Sequence, residues 1–374
     1  MKDIWVASHH VISPLGMGTD ENFHKMMEGD SGISLTPGLT LSADSINVAK
    51  IKFPLPTLES LTFFETLCIH AIKGALKNIS LDMTSANTAL VLATTKGNID
   101  LLGIKGKEHR VKLFPTAQRI GQYFSNPNVP RVISNACISG VMALQMAKRM
   151  LYSGDFKHIV VVGGDVLSKF VISGFGALQA ISPFPCKPFD EARKGITLGE
   201  AAAAVVLTAH PEELDCHPKI KVLGGGLSND ANHISGPSRT GNELAWAVLN
   251  ALKESGTEKE NIDFISAHGT GTLYNDEMES KAFSRLEMNN IPLNSLKGYF
   301  GHTLGAAGLL ESVMSIASLE ENTLIPSKGF EKLGVSKPLN IIQEQIKKPL
   351  QCFLKTASGF GGCNAAILFK KTRD

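Results

Sequence analysis

The stretch RVISNACISGVMALQMAKRM, followed shortly by HIVVVG, constrains this chain more than any other segment. Residues 131–136 read as a short strand, Cys137-Ile138-Ser139-Gly140 makes a corner, and residues 141–152 carry apolar side chains at helical spacing. Residues 158–163 then form a nearly continuous apolar strand of the buried type. Strand, sharp turn, helix, strand is the unit of a layered fold, so the predicted fold class is α/β. A second such region reads as a strand over 221–227, a helix over 242–252, a strand over 262–267 and a helix from about 275. The chain opens on a strand over 3–12 that stops at Ser13-Pro14-Leu15-Gly16, and a helix is expected over 21–28. An amphipathic helix within 58–79 and a buried strand over 88–95 follow. Residues 97–110 have little periodicity, and two short strands over 353–357 and 365–369 close the chain around SGFGGCN.

GITLGEAAAAVVL at 195–207 and SGFGGCNAAILF at 358–369 share a glycine-bearing entry into an apolar strand. That echo suggests two similar halves, 1–214 and 215–374. With 374 residues, 43% hydrophobic and 19% charged, the chain has ample material for such a core. The start, MKDIWVASHHVISPLG, has no signal-peptide profile, and no run approaches the roughly 18 uncharged apolar residues of a membrane span. A cytoplasmic protein without a membrane span is expected. None of Cys68, Cys137, Cys186, Cys216, Cys352 and Cys363 forms a CxxC pair, so no disulfide framework is expected. Lys plus Arg total 37 against 35 Asp plus Glu, a net +2, which gives no basic excess for nucleic acid. The glycine strings match neither GxxxxGK[ST] nor a GxGxxG after the first strand, which disfavours nucleotide cofactors.

Cys137 falls at the first turn of a helix, where free N–H groups favour negative charge, so a lowered thiol pKa is expected. The segment alone fits a small hydrophobe packed under the sheet better than a nucleophile. Two loops change that balance. AHGTGTLYND places His268 just after a strand, with Asn275 or Asp276 available to cap the helix that follows. KGYFGHTLGAAG places His302 before another helix start, with Lys297 five residues earlier. Two neutral histidine donors aimed at one point would stabilise an oxyanion or enolate. Zinc is the competing use of one cysteine and two histidines, although the close-spaced ligand pair of structural zinc sites is missing.

Taken together, these segments make the chain resemble a 3-oxoacyl-(acyl-carrier-protein) synthase of the condensing-enzyme group, which has a thiolase-like fold. NACISG at 135–140 is similar to the nucleophile motif, and KPFDEARKGITLGEAAA at 187–203 to the RPFD and GEGAG-like strings. AHGTGTLYNDEMES at 267–280, NSLKGYFGHTLGAAGLLE at 294–311 and GFGGCN at 359–364 are similar to the two histidine motifs and the terminal glycine loop. Lys187 and Ala201 stand where arginine and glycine are common, and Gly298 follows Lys297 where serine is common.

The resemblance implies duplicated layered halves with mixed central sheets, a dimer, and decarboxylative Claisen condensation without metal or other cofactor. It implies that Cys137 receives the acyl group and that His268 and His302 assist decarboxylation of malonyl carrier protein. Lys297 would support His302, with Glu311 as its acidic companion and Asp276 in the supporting network. The N–H of Phe360 would act beside that of Cys137, and Phe175 would line the acyl pocket. The implied partners are an acyl carrier protein and either a second copy or a related subunit. Fatty-acid elongation and specialised polyketide or aryl-polyene synthesis both stay open at this point. A non-condensing chain-length partner is a further alternative that Cys137 opposes. A thiolase or acyltransferase is another, which Cys363 keeps open.

Overall fold

The computed structural model describes residues 2–40 and 44–372. Its main sheet has ten principal strands: β1 (Trp5–Ser13), β2 (Thr88–Ala93), β3 (Arg131–Ile133), β4 (His158–Asp165), β5 (Ala201–Thr208), β6 (Ile220–Asn229), β7 (Phe264–Ser266), β8 (Leu293–Asn294), β9 (Cys352–Gly359) and β10 (Cys363–Lys371). The helices used below are α1 (Thr19–Met27), α2 (Phe63–Leu76), α3 (Leu113–Tyr123), α4 (Ser139–Ser153), α5 (Lys169–Ala177), α6 (Asn242–Ser255), α7 (Leu273–Arg285) and α8 (Ala307–Glu320).

Strand order across the sheet is β8-β7-β9-β10-β6-β1-β5-β4-β2-β3. Outward from the β1/β6 seam, one side runs β1, β5, β4, β2, β3 and the other β6, β10, β9, β7, β8. On each side the first two joins are antiparallel and the last two parallel. The seam is held by two Cα pairs, Trp5 with Lys221 and Val6 with Ile220. The two segments that echo each other in sequence lead into β5 and β10, which occupy matching places. Every residue of β5, AAAAVVLT, is buried, as a strand covered on both faces requires. The architecture is the thiolase-like α/β fold with mixed sheets.

Helices α4 and α8 form the centre, each touching strands from both sides of the seam. Their N-terminal turns cross at glycine. A Cβ on Gly140 would lie 2.5 Å from the backbone nitrogen of Leu309, and one on Gly308 would lie 2.7 Å from Val141 Cγ2. Close approach of these two backbones brings the corner that precedes α4 against the one that precedes α8. Gly308→Val should therefore overpack the crossing and destabilise the fold by about 1–3 kcal/mol. A urea midpoint equal to that of the parent would mean that the helices can part freely.

Several element limits differ from the sequence expectation for local reasons. Helix α2 starts at Phe63 because Thr62 and Glu65 make a reciprocal capping box. Strand β3 ends at Ile133 and α4 begins at Ser139, so the corner consumes residues that patterning alone assigned to strand. The aperiodic stretch 97–110 contains 3₁₀ turns at Ile99–Leu101 and, running one residue further, Glu108–Val111, and leads into α3. It is pegged by the buried Asn98, which donates to Glu65, the Arg110 carbonyl and Thr116, rather than by an apolar stripe. Among the described residues, no helix is long and apolar enough to cross a membrane.

Candidate active site

The corner at Cys137 is tight and locally strained. Ala136 adopts φ 44°, a left-handed conformation that costs a non-glycine residue about 1 kcal/mol or more. The Ser139 hydroxyl offsets part of this by accepting from Asn135 N at 2.8 Å and donating to the Ala136 carbonyl at 2.7 Å. Leu304, placed three residues before α8 as Ala136 is before α4, has φ 51°. The chain thus enters α4 and α8 through the same kind of left-handed turn. Cys137 follows Ala136 and is buried. Loop 359–362 presses against it: a Cβ on Gly359 would come 3.0 Å from Cys137 N, and the Phe360 N–H donates to the Cys137 sulfur.

The expected lowering of the Cys137 pKa is not what the structure gives. Burial pushes the thiol up to about 12, with Cys363 adding to the rise. Lys297 and the Phe360 N–H oppose it without prevailing. The helix N-terminus is a partial charge, and desolvation of a full thiolate outweighs it.

The loop carrying His268 is pinned through its backbone. Glu279 accepts from His268 N at 2.8 Å and Gly269 N at 2.6 Å, while Asp276 accepts from Thr270 N at 2.9 Å and Gly271 N at 3.1 Å. These carboxylates lie three residues apart on one face of α7. Asp276 also accepts from Phe189 N at 2.7 Å. It does not cap α7, nor does Asn275; Thr272 does, accepting from Asn275 N at 3.3 Å. Burial, reinforced by Asp276, raises Glu279 to about 7.

On the carbonyl side two buried lysines complete the clamp. Lys355 donates to the Ser266 and Ala267 carbonyls, each at 3.1 Å, and Lys297 donates to the His268 carbonyl at 2.5 Å. Lys297 also reaches His268 Nδ1 at 3.3 Å and Glu311 Oε1 at 2.7 Å. The lysine therefore bonds to His268, not to His302 as the sequence suggested. Its one-turn helix, Lys297–Phe300, aims the side chain under β7. His302 is held otherwise: its N–H donates to the Thr197 carbonyl at 2.6 Å, its carbonyl accepts from Gly199 N at 3.1 Å, and its Nδ1 accepts from Leu304 N at 3.1 Å.

These partners fix the tautomers. An ammonium and a backbone N–H can only donate, so both Nδ1 atoms are acceptors and both Nε2 atoms carry the proton. Burial first, then the charge of Lys297, hold both imidazoles well below the ordinary histidine pKa and hence neutral. The rings meet edge to face with centroids 5.1 Å apart. One ligating atom from each of Cys137, His268 and His302 lies within 4.8 Å of the others. That spacing would also suit a metal, but protonated Nε2 atoms and the nearby lysines oppose zinc.

Above the three side chains opens a cavity of about 620 Å³. Phe175 on α5 lines it and stacks on Phe360, centroids 5.4 Å apart. Sequence reasoning missed Lys355, Glu279 and Asp165. Asp165 ends β4, accepts from Thr95 N at 3.0 Å and from Gly305 N at 2.7 Å, and so ties the end of β2 to the His302 loop. Lys355 interrupts the apolar run of β9, and Glu279 repeats Asp276 one turn later; both signals were present in the sequence.

The chain is similar to known proteins along most of its length. The beta-ketoacyl synthase N-terminal domain family matches residues 56–213 and the corresponding C-terminal domain family residues 220–331. The 3-oxoacyl-[acyl-carrier-protein] synthase 2 of Vibrio cholerae is 30% identical over 407 residues, spanning 96% of this chain and 97% of that protein. A ketosynthase in complex with its chain length factor from Xenorhabdus doucetiae has a TM-score of 0.89 at 24% identity, covering 99% of this chain and 98% of that one. A beta-ketoacyl synthase from Burkholderia phymatum gives 0.88 at 23%, with full coverage of both chains at 100%. Fold and relatives together define a condensing enzyme of the acyltransferase class. The chain belongs to the beta-ketoacyl synthase family.

Proposed function

We propose that the chain joins an acyl group held on Cys137 to malonyl-acyl-carrier-protein by decarboxylative Claisen condensation. The observation that carries this reading is the convergence of one thiol and two neutral Nε2–H donors in a single buried site. In loading, Cys137 sulfur attacks the carrier thioester, and the thiol proton ends on the departing carrier sulfur. The oxyanion formed in that step lies within reach of the N–H groups of Cys137 and Phe360.

Malonyl thioester then loses carbon dioxide. The electron pair of the broken C–C bond becomes an enolate, whose oxygen accepts from His268 and His302. The enolate carbon attacks the acyl carbonyl, the C–S bond breaks, and Cys137 leaves with that electron pair and is reprotonated. Lys297 and Glu311 hold His268, while Asp276 holds the loop that bears it.

We read the chain as two thiolase-like halves, 1–214 and 215–374, a division supported by the repeated strand order on either side of the β1/β6 seam. We also propose an acyl carrier protein as substrate-bearing partner and a dimer with a second copy or a related subunit. Fatty-acid elongation and specialised polyketide or aryl-polyene assembly are the two pathways this reading admits.

Decarboxylation of malonyl carrier protein tests the assignment. His268→Ala and His302→Ala should each slow carbon dioxide release about 10²–10³-fold, the loss typical of one oxyanion donor. Normal release by either folded variant would remove that histidine from the mechanism.

A further inference from the structure

The mechanism above uses Lys297 but leaves a second lysine, fully buried in β9, without a task. Lys355 has no exposed surface, in a strand whose neighbours Phe353, Leu354 and Ala357 are apolar core. Burying an ammonium there is expensive unless every proton finds a partner. Two of the protons go to the carbonyls of Ser266 and Ala267 at 3.1 Å, and Glu311 Oε2, 2.6 Å away, supplies the opposite charge as an ion-pair partner. Glu311 is thereby shared, one oxygen facing Lys297 and the other Lys355. The three carbonyls that accept from the two lysines belong to the successive residues Ser266, Ala267 and His268.

We propose that Lys355 is a positioning residue of the condensation site, one that clamps the strand end carrying His268 and places a second fixed positive charge beneath both imidazoles. The inference rests on the condensation reading for its effect on rate, but not for its effect on the imidazoles. Charged and titratable groups around the two rings are Lys297 on its one-turn helix, Glu311 on α8, Asp276 and Glu279 on α7, Cys137 in the corner before α4, and Asp165 on β4. Arg193 faces Asp276 at 3.9 Å. A single carboxylate, Glu311, contacts the two lysines, so the charge nearest the rings stays positive. Positive charge at this point opposes protonation of either imidazole and favours an enolate beside them. Both lysines act on His268 and His302 in this sense, after burial.

The test compares the parent chain with Lys355→Met and Lys355→Arg, reading histidine protonation by NMR of protein labelled with ¹⁵N-histidine. In the parent both imidazoles should stay neutral and Nε2-protonated as the pH falls through and below the ordinary histidine range. Removing the charge in Lys355→Met should raise the titration of His268 and His302 by about one unit, and Lys355→Arg should restore it. The acid limb of malonyl decarboxylation should move upward by the same amount in Lys355→Met. A parent histidine at this site that titrates near its ordinary value overturns the inference without any variant. So does a folded Lys355→Met that titrates as the parent does. A histidine shift with no change in decarboxylation would uphold the electrostatic role of Lys355 and count instead against the condensation reading.

Discussion

Cys137→Ala is expected to carry no acyl group. Intact-protein mass after incubation with an acylated carrier protein should rise by the acyl mass in the parent and stay unchanged in the variant. Condensation should fall on the order of 10⁴-fold or more, since removal of a covalent nucleophile leaves only binding and oxyanion stabilisation. A folded variant that still loads would move the nucleophile elsewhere, and Cys363 is the thiol to examine: Gly359 separates its sulfur from Cys137 N. The pH response follows from the raised pKa. With the thiol near 12 against an ordinary 9, Cys137 in the free protein is protonated at neutral pH. Its alkylation by iodoacetamide should therefore keep climbing through about pH 10 instead of levelling off near pH 9. Early levelling would mean that the helix terminus and Lys297 outweigh burial.

How much of this was legible beforehand depended on whether a residue announced itself locally. The corner at Cys137 and the histidine loops sit where small residues, a strand end and a helix start coincide within a few positions, so these positions could be singled out from short windows. The strand order could not, because β5 and β10 pair with strands more than a hundred residues away in one case and within a hairpin in the other. Direction of support was also hidden. Lys297 lies five residues before His302 but bonds to His268, since the one-turn helix sends its side chain across to β7 rather than along the chain. Thr272 took the cap assigned to its neighbours because the carboxylate of Asp276 was already committed to Thr270 and Gly271. Thiol acidity was misjudged for a different reason: sequence places a cysteine at a helix start but does not say how dry that start is.

Glu311→Leu should be the most destabilising single change at the site. Glu311 is 2% exposed and contacts Lys297 at 2.7 Å and Lys355 at 2.6 Å. Leucine fills similar space but leaves two buried ammonium groups facing each other with no anion between them. Breaking a buried ion pair by removing one partner costs about 3–5 kcal/mol, more than the ion pair itself is worth against an apolar substitute. Urea unfolding at neutral pH should record a loss of that size, and a loss below about 1 kcal/mol would mean that the lysines are not held as ions. The sign of the pH dependence discriminates further. Burial already lowers Lys355 from its ordinary 10.5, and Glu311 works against that lowering. Without Glu311 the folded-state value drops again while the unfolded value stays put. Between those two values the unfolded chain binds more protons than the folded one, so the stability of the variant must rise with pH across that window. Glu311→Gln, which keeps an acceptor but no charge, should show the same slope with a smaller loss. A variant whose stability fell with rising pH across that window would place the proton elsewhere and remove Lys355 from the charged core of the site.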